Sequence, residues 1–152
     1  MDIAEQSVRH LIDDVLLQNQ SIMEFKGIAL TVDCDDDCQW YFDRDLVTGV
    51  LTNALNNAYN YTHDKIRIVA RVDSGYLELR IEDNGRGFPA SMLISGADSV
   101  SKRSRFDSGS TGLGVYFSSQ VAHVHKNGNL HGTVTMENGG AYGGGCFVLR
   151  LP

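Results

Sequence analysis

The chain has 152 residues, 42% hydrophobic and 21% charged, with a formal net charge of −6, enough for one domain around a single core. The negative balance excludes unspecific nucleic-acid binding, which needs a clustered positive surface, and no apolar run approaches the ~20 residues of a membrane span. Cys34, Cys38 and Cys146 are an odd set with no secretory signal ahead of them, which fits reduced thiols in a cytoplasmic domain.

In chain order, a helix is predicted over Ala4 to Phe25. Ile28 to Asp33 and Gln39 to Phe42 then read as the arms of a hairpin, turning through Cys34 to Cys38 among Asp33, Asp35, Asp36 and Asp37. A metal site at Cys34-x-x-x-Cys38 is the alternative to a plain acidic turn.

Asp43 is a candidate N-cap for a helix that continues to Thr62. At about 100° per residue, Val47, Leu51, Ala54, Leu55 and Ala58 form an apolar stripe, and Asn53, Asn57 and Asn60 form a separate polar one. Asparagine is a poor interior helix former, so this clustering opposes local propensity and calls for a function. Amide oxygens can ligate Mg²⁺, and amide nitrogens can meet phosphate oxygens without adding negative charge. The bland alternative is a solvated polar face.

Lys65 to Asp73 and Tyr76 to Asp83 read as two alternating strands about Ser74-Gly75, with Ile66, Ile68, Ala70 and Val72 on one face and Leu77, Leu79 and Ile81 likewise. They lead into Ile81-Glu82-Asp83-Asn84-Gly85-Arg86-Gly87-Phe88-Pro89. A buried carboxylate there can accept from an adenine amine, and alternate glycines let backbone approach the ring; an ordinary Asn-Gly turn is the competing reading. After Ala90 to Ser108 comes Gly109-Ser110-Thr111-Gly112-Leu113-Gly114-Val115, running into a helix that ends near His125. Glycines opening a helix make an anion site, where free N–H groups and the helix dipole face a phosphate. Gly132 to Glu137 and Cys146 to Leu151 add strands, and the glycine-rich run Gly139 to Gly145 between them has no role that the sequence assigns.

With three motifs in this order, the chain resembles the ATP-binding catalytic domain of bacterial two-component sensor histidine kinases, of the Bergerat or GHKL superfamily. The resemblance covers nearly all of residues 1–152, with an N box from Asn53 to Thr62, a G1 box from Asp83 to Gly87 and a G2 box from Gly109 to Gly114. It implies an α/β two-layer sandwich, a mixed and mostly antiparallel sheet packed against about three helices, with ATP beneath a mobile lid at Ala90 to Ser108. It also implies that Asp83 reads the adenine amine, that Gly85 and Gly87 shape the pocket floor, and that Asn57 ligates Mg²⁺ with Asn53 as a second polar contact. Asn53 and Asn57 are thus the implied catalytic positions. Asn60 and Tyr61 complete the N-box contribution, while Thr111, Gly112, Leu113 and Gly114 would hold phosphates. One of Lys102, Arg103 and Arg105 is expected on the β- or γ-phosphate, against the reading of a solvated basic loop.

Within that resemblance, ATP-hydrolysing relatives and anti-sigma-type serine kinases carry glutamate where Asn53 stands. Asparagine cannot act as a general base, which favours transfer to an imidazole nitrogen. The chain departs from the pattern at Asn60, where lysine is common, and at Cys146, where a small hydroxyl residue is frequent near the adenine; Phe106 is the one candidate for the lid's phenylalanine. None of the five histidines, His10, His63, His123, His125 and His131, has an H-box setting. The expected activity is therefore that of a catalytic half, cut from a longer protein or working in trans, which passes the γ-phosphoryl group to a histidine on a dimerisation domain and so, indirectly, to a response regulator. The alternatives are a nucleotide-binding regulatory module without transfer, or an anti-sigma-type serine kinase.

Overall fold

The computed structural model describes residues 1–93 and 110–152, the side chains of 110–113 excepted. Ser7 decides where the first helix begins. Its backbone is extended, at φ −77° and ψ 117°, and its hydroxyl accepts from the His10 N–H at 3.2 Å, satisfying a donor that the first helical turn leaves free. Strand β1 (Ile3–Ser7) precedes it, and helix α1 (Val8–Lys26) follows, closing at Gly27 in the left-handed region at φ 66°. The helix expected from Ala4 therefore starts at Val8, and Val8, Leu11, Ile12, Val15 and Met23 form its buried face.

Strands β2 (Ala29–Asp33) and β3 (Gln39–Asp43) flank the acidic turn but do not form the expected hairpin. Instead β2 lies parallel to β4 (Lys65–Asp73), while β3 pairs antiparallel with β1, Ser7 opposite Gln39 and Ile3 opposite Asp43. The turn between them is pinned to α1, since Val8 N–H donates to Cys38 O at 3.0 Å and Arg9 Nη1 donates to Cys34 O at 3.0 Å. Those contacts hold the two arms apart.

Helix α2 (Arg44–Tyr61) is capped by Asp43, whose Oδ1 accepts from Leu46 N–H at 3.0 Å. The same carboxylate takes the Asp2 N–H on Oδ2 at 2.7 Å, and these two bonds hold its pKa below the usual carboxylate range. Strand β5 (Tyr76–Asp83), helix α3 (Ser110–Val124), the short strands β6 (Lys126–Asn127) and β7 (Leu130–His131), and strands β8 (Thr133–Asn138) and β9 (Gly145–Leu151) complete the chain. The main sheet has five strands in the order β2-β4-β5-β9-β8, antiparallel except at β2-β4.

Ile66, Ile68, Leu77, Leu79, Ile81, Leu149 and Leu151 present the apolar face of that sheet to α1, α2 and α3, and the alternation read in β4 and β5 is the one observed. Val72, at the hairpin end of β4, is 53% exposed and lies beyond the helices' cover. The opposite face carries a cross-strand lattice of Arg67, Arg71, Arg80 and Arg150 with Glu78, Glu82 and Glu137. This is the two-layer α/β sandwich expected, with the C-terminal end of α2 laid against the joint that follows β5.

Candidate nucleotide site

Three turns of α2 build one wall. Val47, Leu51, Ala54, Leu55 and Ala58 are buried in the core, which rotates Asn53, Asn57 and Asn60 away from it together. Asn57 is only 6% exposed, and its amide makes no hydrogen bond within the described residues. An amide that the described protein groups leave unpaired is open to a partner from outside, water or ligand. Asn53 is half-buried and Asn60 exposed.

The end of β5 builds the facing wall. Asp83 is 1% exposed, and its Oδ1 accepts from Gly85 N–H at 2.8 Å and Gly145 N–H at 3.2 Å. Its Oδ2 makes no hydrogen bond within the described residues. Burial pushes the carboxyl above its ordinary pKa against the pull of those two N–H groups. Asn84 ties this joint to the end of α2: its Oδ1 accepts from Thr62 Oγ1 at 3.1 Å and from the backbone N–H groups of Asp64 and Lys65, each at 3.0 Å. The close approach requires glycine at 85, where a Cβ would stand 1.6 Å from Tyr61 O. Gly87 is required for its backbone, at φ 85°.

Tyr61 sits where the two walls meet. Its ring meets Phe88 edge-on, with centroids 5.4 Å apart at 75°, its hydroxyl donates to Met92 Sδ at 3.3 Å, and the Arg86 guanidinium lies 5.1 Å from its centroid.

Sequence reasoning missed the third wall. The run from Gly139 to Gly145 folds over Asp83: Gly144 N–H donates to Asp83 O at 3.1 Å, and a Cβ at Gly144 would fall 2.5 Å from Asp83 Oδ1. On the far side of β5, Ala141 N–H donates to Glu82 Oε2 at 3.1 Å, so consecutive acidic residues anchor the loop from opposite faces of the sheet. Asn138 exchanges two bonds with the Phe88 backbone, accepting its N–H at 2.7 Å and donating to its carbonyl at 3.1 Å. The signal available in the sequence was the glycine density alone. Cys146, read as lying near the adenine, pairs in register with Glu82 and faces the other side of the sheet, where Arg80 Nη2 donates to its Sγ at 3.1 Å. The residue beside Asp83 is Gly145.

Helix α3 brings the G2 segment to α2. It begins at Ser110, so Gly112 and Gly114 fall inside its opening turns instead of in a loop ahead of it. A Cβ on Gly114 would stand 3.5 Å from the Asn53 amide carbon, which places these two expected site residues against each other. Lys102, Arg103, Arg105 and Phe106 lie outside the described residues, as do the side chains of Thr111 and Leu113.

A cleft of about 660 Å³ lies elsewhere, on the outer sheet face between the acidic turn and Arg67, Arg71 and Arg80. Its arginines are engaged, Arg67 with Asp33 and Glu82 and Arg80 with Glu78. Among the described residues no helix is long and apolar enough to cross a membrane, and no cluster of three or more His, Cys, Asp or Glu could hold a metal. Asn57 and Asn53 carry neutral amide oxygens which, with phosphate oxygens and water, would suit Mg²⁺, a hard cation that takes oxygen ligands.

The family described as histidine kinase-, DNA gyrase B- and HSP90-like ATPase matches residues 42–152. The signal transduction histidine-protein kinase AfsQ2 of Streptomyces coelicolor is 32% identical over 127 residues, covering 82% of this chain and 22% of that protein. The sensor protein TorS of Escherichia coli is 31% identical over 148 residues, covering 95% of this chain and 15% of that protein. The chain thus spans well under a third of the curated relatives it matches. In fold it is similar to the catalytic domain of histidine kinase ThkA in a nucleotide-free form, with a TM-score of 0.79, 21% identity, and coverage of 100% of this chain and 98% of that one. The Acinetobacter baumannii histidine kinase AdeS gives a TM-score of 0.72 at 21% identity, covering 99% of this chain and 67% of that one. With 111 contiguous residues matched and all three walls of the site inside or beside them, the chain belongs to the histidine kinase-, DNA gyrase B- and HSP90-like ATPase family.

Proposed function

We propose that this chain binds Mg-ATP and donates the γ-phosphoryl group to a histidine on a dimerisation domain outside it, as the catalytic part of a two-component sensor kinase. The observation that carries the reading is the buried Asp83 carboxylate at the end of β5, held where the backbone of Gly85 closes on the end of α2. One carboxylate oxygen is held by two backbone N–H groups, and the other is left for a donor. An exocyclic adenine amine is such a donor, and the N–H groups of Gly85 and Gly145 already hold the carboxylate in orientation. Asn57, buried and without a protein partner among the described residues, would hold Mg²⁺, which screens phosphate charge when bound.

Asn53 packs against Gly114 and carries no base. The nucleophile must therefore bring its own lone pair, as an imidazole nitrogen does. In the proposed step a new P–N bond forms to that nitrogen while the bond from the γ-phosphorus to the bridging oxygen breaks, and ADP departs with the electron pair. The chain contributes position and charge stabilisation. The dimerisation domain and, beyond it, a response regulator are the partners this reading requires.

Labelled γ-phosphate transfer tests it. Mixed with a histidine-bearing dimerisation domain of a sensor kinase, the chain should place acid-labile, alkali-stable phosphate on that domain. Acid-stable label would favour a serine acceptor, and nucleotide binding with no transfer to any dimerisation domain tried would favour a regulatory module.

A further inference from the structure

The acidic turn between β2 and β3 brings two cysteines together. Cys34 and Cys38 are free thiols, each partly exposed, and neither belongs to the nucleotide site. Cys38 N–H donates to Asp35 O at 3.2 Å, which folds the interval between them back on itself. The Cys34 thiol lies 3.4 Å from Asp35 O and within hydrogen-bonding reach of the Cys38 thiol. The turn is also held from outside. Arg9 Nη1 donates to Cys34 O and Val8 N–H donates to Cys38 O, each at 3.0 Å, so the first turn of α1 fixes the backbone of both cysteines. Both side chains pack against the core. Two thiols in contact, each on a tethered backbone, have little freedom left to lose when a bond joins them.

Their surroundings set which reagent can reach them. Cys38 lines the outer cleft beside Asp33, Asp35 and Gln39, and Cys34 does not, so Cys38 is the thiol met first from solvent. Cys146 is fully buried with Arg80 Nη2 on its Sγ, shut off from such a reagent. Asp35, Asp36 and Asp37 ring the pair with exposed carboxylates. Burial, then the neighbouring thiol, push Cys34 up to about 11 against the pull of Arg9, with Asp35 adding to the rise; burial, then Asp35, push Cys38 up as well. Both thiols therefore stay protonated at neutral pH until an oxidant is present, and the acidic rim favours a neutral or cationic oxidant over an anionic one.

We propose that Cys34 and Cys38 are a redox modification site, a dithiol that closes to a reversible disulfide with a small neutral or cationic disulfide as its oxidant. Cys38 loses its proton to solvent and its thiolate attacks one sulfur of the oxidant, forming a mixed disulfide and expelling one thiolate. Cys34, its own proton lost, then attacks Cys38 Sγ; the internal S–S bond forms and the second thiolate leaves. The chain gives up two electrons and two protons, and the oxidant takes them as two free thiols. The bridge staples the turn on which the start of α1 rests.

The test is incubation of the folded, unsubstituted chain with cystamine or with glutathione disulfide, followed by acid quench, peptide mass spectrometry and thermal unfolding. Cystamine should leave the peptide carrying Cys34 and Cys38 lighter by two hydrogens, a change that dithiothreitol reverses. It should react about fivefold faster than glutathione disulfide, with the gap narrowing in high salt. The oxidised chain should melt at the same temperature as the reduced one or higher, because an unstrained short loop restricts only the unfolded state. Cys34→Ser should stop at a mixed disulfide on Cys38. Mixed disulfides on both cysteines without a bridge, a bridge that forms only in urea, or a bridge that lowers the melting temperature would overturn the proposal. Equal rates with the two oxidants would overturn the oxidant class.

Discussion

Gly145 donates its backbone N–H to Asp83 Oδ1 at 3.2 Å, the same oxygen that takes the Gly85 N–H at 2.8 Å. The carboxylate is thus fixed through one oxygen by residues 62 positions apart in the chain, and it offers the other to whatever enters. Asp83→Asn keeps an acceptor for those N–H groups but replaces the charged acceptor facing the ligand. It should weaken ATP binding by about 1–3 kcal/mol, read as a rise in dissociation constant by calorimetry. An affinity equal to that of the unsubstituted chain would remove Asp83 from the adenine contact.

The same substitution has a consequence for stability. Burial raises the Asp83 pKa in the folded state above its unfolded value. A raised pKa means that the contribution of this group is fully present below the unfolded carboxylate value and is lost as pH rises through the folded one. At neutral pH the ionised Asp83 is therefore a liability to the empty domain, and Asp83→Asn should unfold at the same or a higher temperature there. Their difference should shrink on acidification toward the unfolded carboxylate value. A variant markedly less stable at pH 7 would show that the charge is stabilising.

Gly85→Ala should act on folding. Its Cβ would stand 1.6 Å from Tyr61 O and 2.9 Å from Thr62 Cα, backbone atoms that cannot rotate aside. A loss of about 3 kcal/mol or more in urea unfolding is expected. Gly143→Ala is the control, since its Cβ would meet nothing within 4 Å and its φ of 80° adds only backbone strain. Similar losses in the two variants would contradict the close approach of α2 to the β5 joint.

How much of this was legible in the sequence depended on how local the determinants are. Asn53 and Asn57 sit in a helix whose asparagine content opposes local propensity, while the run with Asp83, Gly85 and Gly87 is compatible with an ordinary turn and gained weight only from the order of the three motifs. Asn138 and Gly145 act on Phe88 and Asp83 across 50 and 62 residues, and nothing in their own neighbourhoods marks those partners. Strand β1 was hidden for the same reason. Ile3–Ser7 is extended because it pairs with Gln39–Asp43, while its own composition tolerates a helix; Ser7, a good cap, was the signal that the helix starts later. The expected β2-β3 hairpin failed because β2 found a parallel partner in β4.

Tyr59 gives a prediction on stability alone. Its hydroxyl is buried without a hydrogen-bond partner among the described residues, and burial raises its pKa to about 12. Tyr59→Phe removes an unsatisfied polar group and leaves the ring packing in place. It should leave stability unchanged or raise it by up to about 1 kcal/mol, with ATP affinity unaltered. A clear drop in melting temperature would mean that the hydroxyl has a partner in solution.

Asn57→Ala addresses the metal. Without the amide oxygen the site should lose most of the strengthening that Mg²⁺ gives to ATP binding, and lose less of the affinity measured in EDTA. Proportional losses with and without Mg²⁺ would assign Asn57 to the nucleotide instead of the ion.

The central claim is tested most directly by titrating the unsubstituted chain with ATP, ADP and GTP, each in Mg²⁺ and in EDTA. The account predicts binding selective for adenine nucleotides and strengthened by Mg²⁺; no binding, or equal binding of GTP, would contradict the assignment of Asp83 and the asparagine face to an ATP site.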